Sequence, residues 1–298
     1  MNGEALFGDR EREVFRKMIW KVADFSGVRV ITYAVMKNHF HLLVEVPHAG
    51  IEVSDEELVR RYRVLYPKPT PWQPMCADAL KKRLAVGGAE RDQSRAAILK
   101  RMSDVSEFMK TLKQRFSLWF NASKDRFGPL WADRFKSVLV EGDYWALRTV
   151  AAYIDLNPVR AGLVDDPKDY RFCGYGEAVG GGRAARAGIM MLGRDLSDYR
   201  KTLFGAGVCE KTGRSSIHRD DAAKVLAGGR EDLPLGVVLR CRLKYMTDGI
   251  VLGRKDFVES RLEAIKTRGK RPARARPMRG AQWRGLSIGR GMKKDLFS

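Results

Sequence analysis

Two histidines, His39 and His41, stand one residue apart in the segment HFHLLVEV, whose apolar residues alternate with period two. In a strand, residues i and i+2 project from one face, so the spacing predicts two imidazoles side by side with Phe40, Leu42 and Val44 turned into the core. Two nitrogens so placed can share one divalent cation, and such an ion acts as a Lewis acid on a phosphoryl oxygen. The same spacing also describes two histidines on a half-exposed strand with no ion. The company they keep favours phosphate chemistry: half of the chain's four histidines fall within these three positions, in a protein of formal charge +20.

The elements that must position this pair are legible around it. Asp9 can cap a helix whose apolar residues Val14, Phe15, Met18, Ile19, Val22 and Phe25 follow a 3.6-residue period, and Gly27 sits where it should stop. Val28 to Met36 is rich in β-branched residues, Lys37-Asn38 makes a turn, and the histidine strand returns antiparallel. Ser54 with Glu57 forms a capping box for a helix carrying Leu58, Tyr62 and Leu65 until Pro67. A further helix is expected from Ser103 to Phe120. It buries Val105, Phe108, Met109, Leu112, Phe116, Trp119 and Phe120, and leaves a basic opposite face with Lys110, Lys113 and Arg115. After Gly128-Pro129, Ser137 to Glu141 reads as a strand, and Asp143 caps a helix through Ile154 that Asn157-Pro158 ends.

The 298 residues carry 56 Lys and Arg against 36 Asp and Glu. Such an excess favours a polyanionic partner, nucleic acid first and an anionic membrane surface second. Residues 266 to 298 hold eleven of the basic residues and one acid, which is +10, half of the excess. This segment, with Arg271, Arg274 and Arg276, reads as a flexible basic tail that could touch nucleic acid. At 44% hydrophobic and 31% charged the chain has the make-up of a globular protein. No apolar run reaches the roughly 20 residues of a membrane span, and MNGEALFGDRERE lacks the features of a leader. The four cysteines have no zinc-site spacing. A cytoplasmic, nucleoid-associated protein is expected.

Three blocks, YAVMKNHFHLLVEVP (Tyr33 to Pro47), LWADRFKSVLVE (Leu130 to Glu141) and YIDLNPVRAGLV (Tyr153 to Val164), resemble in order and spacing the single-tyrosine HUH transposases of insertion sequences, especially their REP-associated relatives. The resemblance covers approximately residues 1 to 180. It implies an α+β, ferredoxin-like HUH nuclease domain, usually a homodimer, that binds single-stranded or hairpin DNA. It further implies that His39 and His41 hold Mg²⁺ or Mn²⁺ against the scissile phosphate. A tyrosine on a later helix would attack the phosphorus, and a free 3′-OH would later reverse the 5′-phosphotyrosine link.

Two features depart from that pattern. The family's first strand, which precedes the first helix, is missing here, a loss expected to expose unpaired backbone beside the histidines. In QRFSLWFN, Phe116, Trp119 and Phe120 stand where relatives offer the nucleophilic tyrosine, and phenylalanine has no oxygen to attack with. Tyr144 and Tyr153 on the next helix are the nearby substitutes, Tyr153 also having a packing role open to it. Gln114 or Asn121 could supply a third metal ligand or be solvated. Arg134 and Lys136 could touch phosphate or line a solvated strand edge, and Trp131 could stack on a base or fill the core. Asn157 could cap the turn that follows it.

The organisation expected is a transposase-like domain over residues 1–179 with a helical insertion around 52–102, a Gly/Arg linker at 180–189, and a mostly helical region at 190–265. In that region Asp220 to Leu226, Leu235 to Tyr245 and Lys255 to Ile265 are expected to be helices, the last two compatible with a helix-turn-helix. The basic tail over 266–298 completes it. Three functions remain open: a DNA strand transferase, a catalytically inactive binder of hairpin DNA, and a basic RNA- or ribosome-associated factor with an incidental HxH pair.

Overall fold

The computed structural model describes residues 6–47, 52–71, 73–204, 235–239, 246, 249–265, 274–279 and 281–289. The chain is α+β, as expected. Its contacts divide it into two units. One takes Met1–Val30, Lys37–His39 and Val44–Phe135; the other takes Ile31–Met36, Phe40–Leu43 and Lys136–Ser298. Composition pointed instead to a boundary at 180–189. There, however, Arg183–Met190 is helical and buries Ala185, Gly188 and Ile189, so the glycines at 180–182 form a turn between packed helices within the second unit.

The first unit is helical. Helix α1 (Asp9–Ser26) is capped by Gly8, one residue before the expected Asp9, because the Glu11 carboxylate reaches back to accept the Gly8 N–H at 2.9 Å. Helices α2 (Asp55–Leu65), α3 (Ala77–Val86), α4 (Gly88–Leu99) and α5 (Val105–Ser123) follow. The Ser54 hydroxyl accepts from Glu57 N at 3.2 Å and Asp104 from Glu107 N at 2.8 Å, so α2 and α5 begin where side-chain acceptors satisfy otherwise unpaired N–H groups. Phe15, Ile19, Leu58, Leu80, Phe108, Leu112 and Phe116 are fully buried between these helices. Phe7, Phe15, Phe116 and Phe120 form one aromatic cluster, with Phe116 edge-on to Phe7 at 5.1 Å and to Phe15 at 4.8 Å.

The hairpin lies where the β-branched run and the turn placed it. Strand β1 (Arg29–Val35) pairs with β2 (Phe40–Glu45) as a two-stranded sheet. The other edge of β1 is not bare: Val35 N–H donates to Phe172 O at 2.9 Å, Ala34 bridges Cys173, and the Tyr170 hydroxyl donates to Val35 O at 2.7 Å. A later segment thus caps backbone groups that the missing first strand was expected to leave exposed.

In the second unit α6 (Tyr144–Asp155) starts at Asp143, whose carboxylate accepts from Trp145 N and Ala146 N. Helices α7 (Asn157–Arg160), α8 (Gly174–Val179), α9 (Arg183–Met190) and α10 (Leu196–Phe204) follow. The Asp155 carboxylate is wholly buried and accepts from Thr32 Oγ1 at 2.8 Å, Tyr175 N at 3.0 Å and Tyr199 Oη at 2.8 Å, which ties β1, α6, α8 and α10 to one point. Gly174 permits this: a Cβ there would lie 2.2 Å from Thr32 Oγ1.

The C-terminal region differs most from expectation. Short helix α11 (Leu235–Val238) and helix α12 (Lys255–Ile265) stand where helices were expected, but Val251–Arg254 between them is strand β4, not the turn of a helix-turn-helix. The expected helix from Asp220 to Leu226 lies outside the described residues, as does most of the continuation of α11 to Tyr245. The basic tail supplies β5 (Ala275–Pro277) and β6 (Leu286–Gly289), and the expected strand at 137–141 is realised as β3 (Leu139–Val140). These form a mixed sheet in the order β3-β4-β6-β5, with β3 parallel to β4 and the other pairs antiparallel. Val251, Val258 and Leu262 bury each other beneath it, with Ala275 from β5 packed against them. Its charge, few apolar residues and Gly/Pro punctuation marked this segment as a flexible tail. Among its described residues Met278, Ala281, Trp283, Leu286 and Ile288 are buried, the last two on the strand that pairs with distant β4.

Candidate nucleic-acid interface

Strand β2 begins at Phe40, so His39 precedes it and is exposed, whereas His41 lies within β2 and is half-buried. Along β2 only Leu43 is buried, on the same alternation as His41, while Phe40, Leu42 and Val44 are half-buried. The expected core face is therefore the less buried one, since a twisted two-stranded ribbon need not shield one whole face. His39 Nδ1 lies 2.6 Å from Asn38 Oδ1, an acceptor that draws the ring proton to Nδ1 and leaves the lone pair on Nε2, the tautomer of a metal-ligating histidine. Among the described residues, however, no three His, Cys, Asp or Glu side chains gather as a metal set. Gln114 is exposed on α5, and Asn121 donates from Nδ2 to a loop carbonyl while its Oδ1 is buried without a hydrogen-bond partner.

Helix α5 separates the expected basic residues into engaged and outward ones. Lys113 Nζ donates to Asp133 O at 2.8 Å and sits 5.3 Å from the Trp131 ring centroid; burial pushes its ammonium below the usual lysine range. Arg115 donates to Leu65 O at 2.7 Å and covers the Tyr66 ring. Trp131 is half-buried, donates from Nε1 to Lys113 O at 3.1 Å and packs edgewise against Phe7. Lys110 faces outward in an i,i+3 pair with Glu107, and Arg134 is exposed. Outward on α5 at helical spacing stand Lys110, Gln114 and Leu118, the last 66% exposed.

This face runs into a loop that sequence reasoning passed over. The amide of Arg126 donates to Asn121 O at 2.9 Å, Asn121 Nδ2 donates to Gly128 O at 2.9 Å, and Lys124 N–H closes on Phe120 O at 3.1 Å. Asp125 at φ 46° and Gly128 at φ 91° supply the left-handed residues that so tight a reversal requires. At its tip Phe127 is 91% exposed, the most exposed large hydrophobic side chain among the described residues. The signal was an aromatic residue set directly before Gly-Pro, among breakers where no core needs it.

The two candidate tyrosines in the second unit have opposite environments. Tyr153 is 4% exposed, with the Arg160 guanidinium 3.8 Å above its ring, the geometry of a packed side chain. Tyr144 is 42% exposed, and its hydroxyl accepts a hydrogen bond from Arg148, which is itself buried and bound to Asp198 and Thr202. Asn157 does not cap the following turn; it donates backward to Tyr153 O and Ile154 O, closing α6.

Lys136 is exposed in the approach to β3. Arg274 and Arg276 are exposed, Arg274 directly before β5 and Arg276 within it, rather than on a free tail. Arg271 lies outside the described residues. The Arg284 guanidinium lies 3.5 Å above the Trp145 ring, and Arg254 pairs with Glu141. No family model, curated protein or solved structure matches this chain. Among the described residues, no helix is long and apolar enough to cross a membrane.

Proposed function

We propose that the protein binds unpaired or hairpin DNA, and that it descends from a transposase lineage without the nucleophile of that lineage. The observation that carries this reading is the fate of the expected tyrosine positions. Phe116 is 0% and Phe120 is 3% exposed, both locked in the aromatic cluster with Phe7 and Phe15, while the chain keeps a charge of +20. The third such position, Trp119, is half-buried under the Arg10 guanidinium, and none of the three carries an oxygen that could attack phosphorus. The ferredoxin-like nuclease core and the homodimer belong to this proposal; the helix-then-hairpin order of α1, β1 and β2 supports the former.

A second reading, strand transfer through a phosphotyrosine, is favoured by Tyr144 alone, because its exposed phenol accepts from Arg148. It requires Mg²⁺ or Mn²⁺, for which His39 and His41 are the donors at hand. Incubation with end-labelled hairpin DNA and Mn²⁺ separates the two. The expected outcome is salt-sensitive binding with no covalent adduct on denaturing gels; an adduct that Tyr144→Phe abolishes would overturn the binder in favour of the transferase.

A further inference from the structure

We infer that strand β5 and the turn after it grip the phosphate backbone of the bound DNA through Arg274, Arg276 and Arg279, an inference that rests on the DNA-binding reading and gives it a surface. The order β3-β4-β6-β5 places β5 at an edge of the sheet. Arg274 stands directly before the strand and Arg276 within it, so at period two both side chains project from one face, roughly 6 to 7 Å apart. That spacing is comparable to the separation of neighbouring phosphates on one strand. The register decides which face it is. Val251, Gly289 and Ala275 are aligned across β4, β6 and β5 and turn toward Leu262 of α12, so Leu252, Ile288 and Arg276 point the other way. Arg279 follows, its carbonyl accepting from Trp283 Nε1 at 2.9 Å, which fixes the backbone while the side chain stays exposed.

The charges select the occupant. All three arginines are exposed, and none has a hydrogen-bond or ion-pair partner among the described residues. The neighbouring Arg254 is taken by Glu141 and Arg284 by the Trp145 ring. No acid occurs between Arg274 and Gly289, and Asp256, Glu259 and Glu263 belong to α12 on the opposite face. Glu141, directly after β3, stands three strands away, about 14 Å at ~4.8 Å per strand, which salt screens. Three like charges held together without an acid favour an incoming anion. Every cation from 274 to 289 is arginine, whose planar fork meets two phosphate oxygens at once. Among the described residues of this segment no large apolar side chain is exposed, as insertion into a lipid surface would need. Charge on an edge strand also deters pairing with another sheet, but either sign performs that duty.

The test is fluorescence anisotropy of the full chain with a labelled hairpin DNA carrying an unpaired tail, across a salt titration. Arg274→Gln/Arg276→Gln/Arg279→Gln is expected to flatten the slope of log affinity against log salt by about 2 and to weaken binding roughly 10- to 100-fold near physiological salt, with the melting temperature unchanged. Arg274→Lys/Arg276→Lys/Arg279→Lys keeps the charge and is expected to keep the slope. Lys81→Gln/Lys82→Gln/Arg83→Gln, at exposed positions of α3, removes the same formal charge and is expected to leave the slope nearly intact. Equal losses from the two glutamine variants, or an unchanged slope in the β5 variant, would overturn the surface while leaving the DNA-binding reading intact. If the β5 variant lost affinity for phosphatidylserine vesicles but not for DNA, the arginines would belong to a membrane surface instead. A parent that binds no DNA would remove that reading and this surface with it.

Discussion

Asp155 sets a protonation equilibrium inside the second unit. Burial drives its carboxyl up to about 6 from 3.8, against hydrogen bonds from Tyr175 N–H and the Tyr199, Thr32 and Cys173 side chains that favour the ionised form. Between about pH 4 and 6 the folded chain therefore holds a proton that the unfolded chain has lost, so this group makes stability fall as pH rises through that window. The shift corresponds to a contribution on the order of 3 kcal/mol, fully present below pH 4 and gone above pH 6. Asp155→Asn is expected to flatten the dependence of melting temperature on pH across this interval; an unchanged slope would show that the carboxyl does not titrate there. Asp155→Ala, which strands Thr32 Oγ1, Tyr175 N and Tyr199 Oη, is expected to cost about 2 to 4 kcal/mol in chemical denaturation.

Among the elements, the caps were readable in advance because each depends on residues within one turn: Ser54 and Asp143 accept the N–H groups that their positions promised. Removing one, as in Asp143→Ala, is expected to lower stability by about 1 kcal/mol in urea titration. The C-terminal sheet was not readable, since β3 and β4 join residues 139 and 251, and β4 joins β6 across the intervening helix α12. Leu262 lies under that sheet, so close that a Cβ on Gly289 would come within 2.9 Å of its side chain. Leu262→Ala is expected to cost about 2 to 4 kcal/mol and to speed amide exchange in 251–254 and 286–289 together. Exchange already fast in the parent at both segments would contradict the sheet.

At the scale of the molecule, the charge excess predicts how binding responds to salt. Neutralising several phosphates releases several counterions, so the affinity for DNA is expected to fall by at least tenfold between 50 and 200 mM salt. A flat response would mean that the +20 charge does not meet the backbone. The count of basic residues overstated the available surface: Lys113, Arg115 and Arg148 spend their charge on protein carbonyls and carboxylates, and Arg284 lies on Trp145.

Local order was written in the residue string: the helix from Asp9, the hairpin with its Lys37-Asn38 turn, the starts at Ser54 and Asp143, the α+β class and the charge excess. Each follows from interactions between neighbours a few positions apart, or from a sum over composition. Which face of β2 is buried, whether Tyr153 or Tyr144 meets solvent, the strands within the basic segment and the display of Phe127 came only with the tertiary structure. Burial and distant pairing are properties of the packed chain, and the same residue can be core or surface depending on what folds over it.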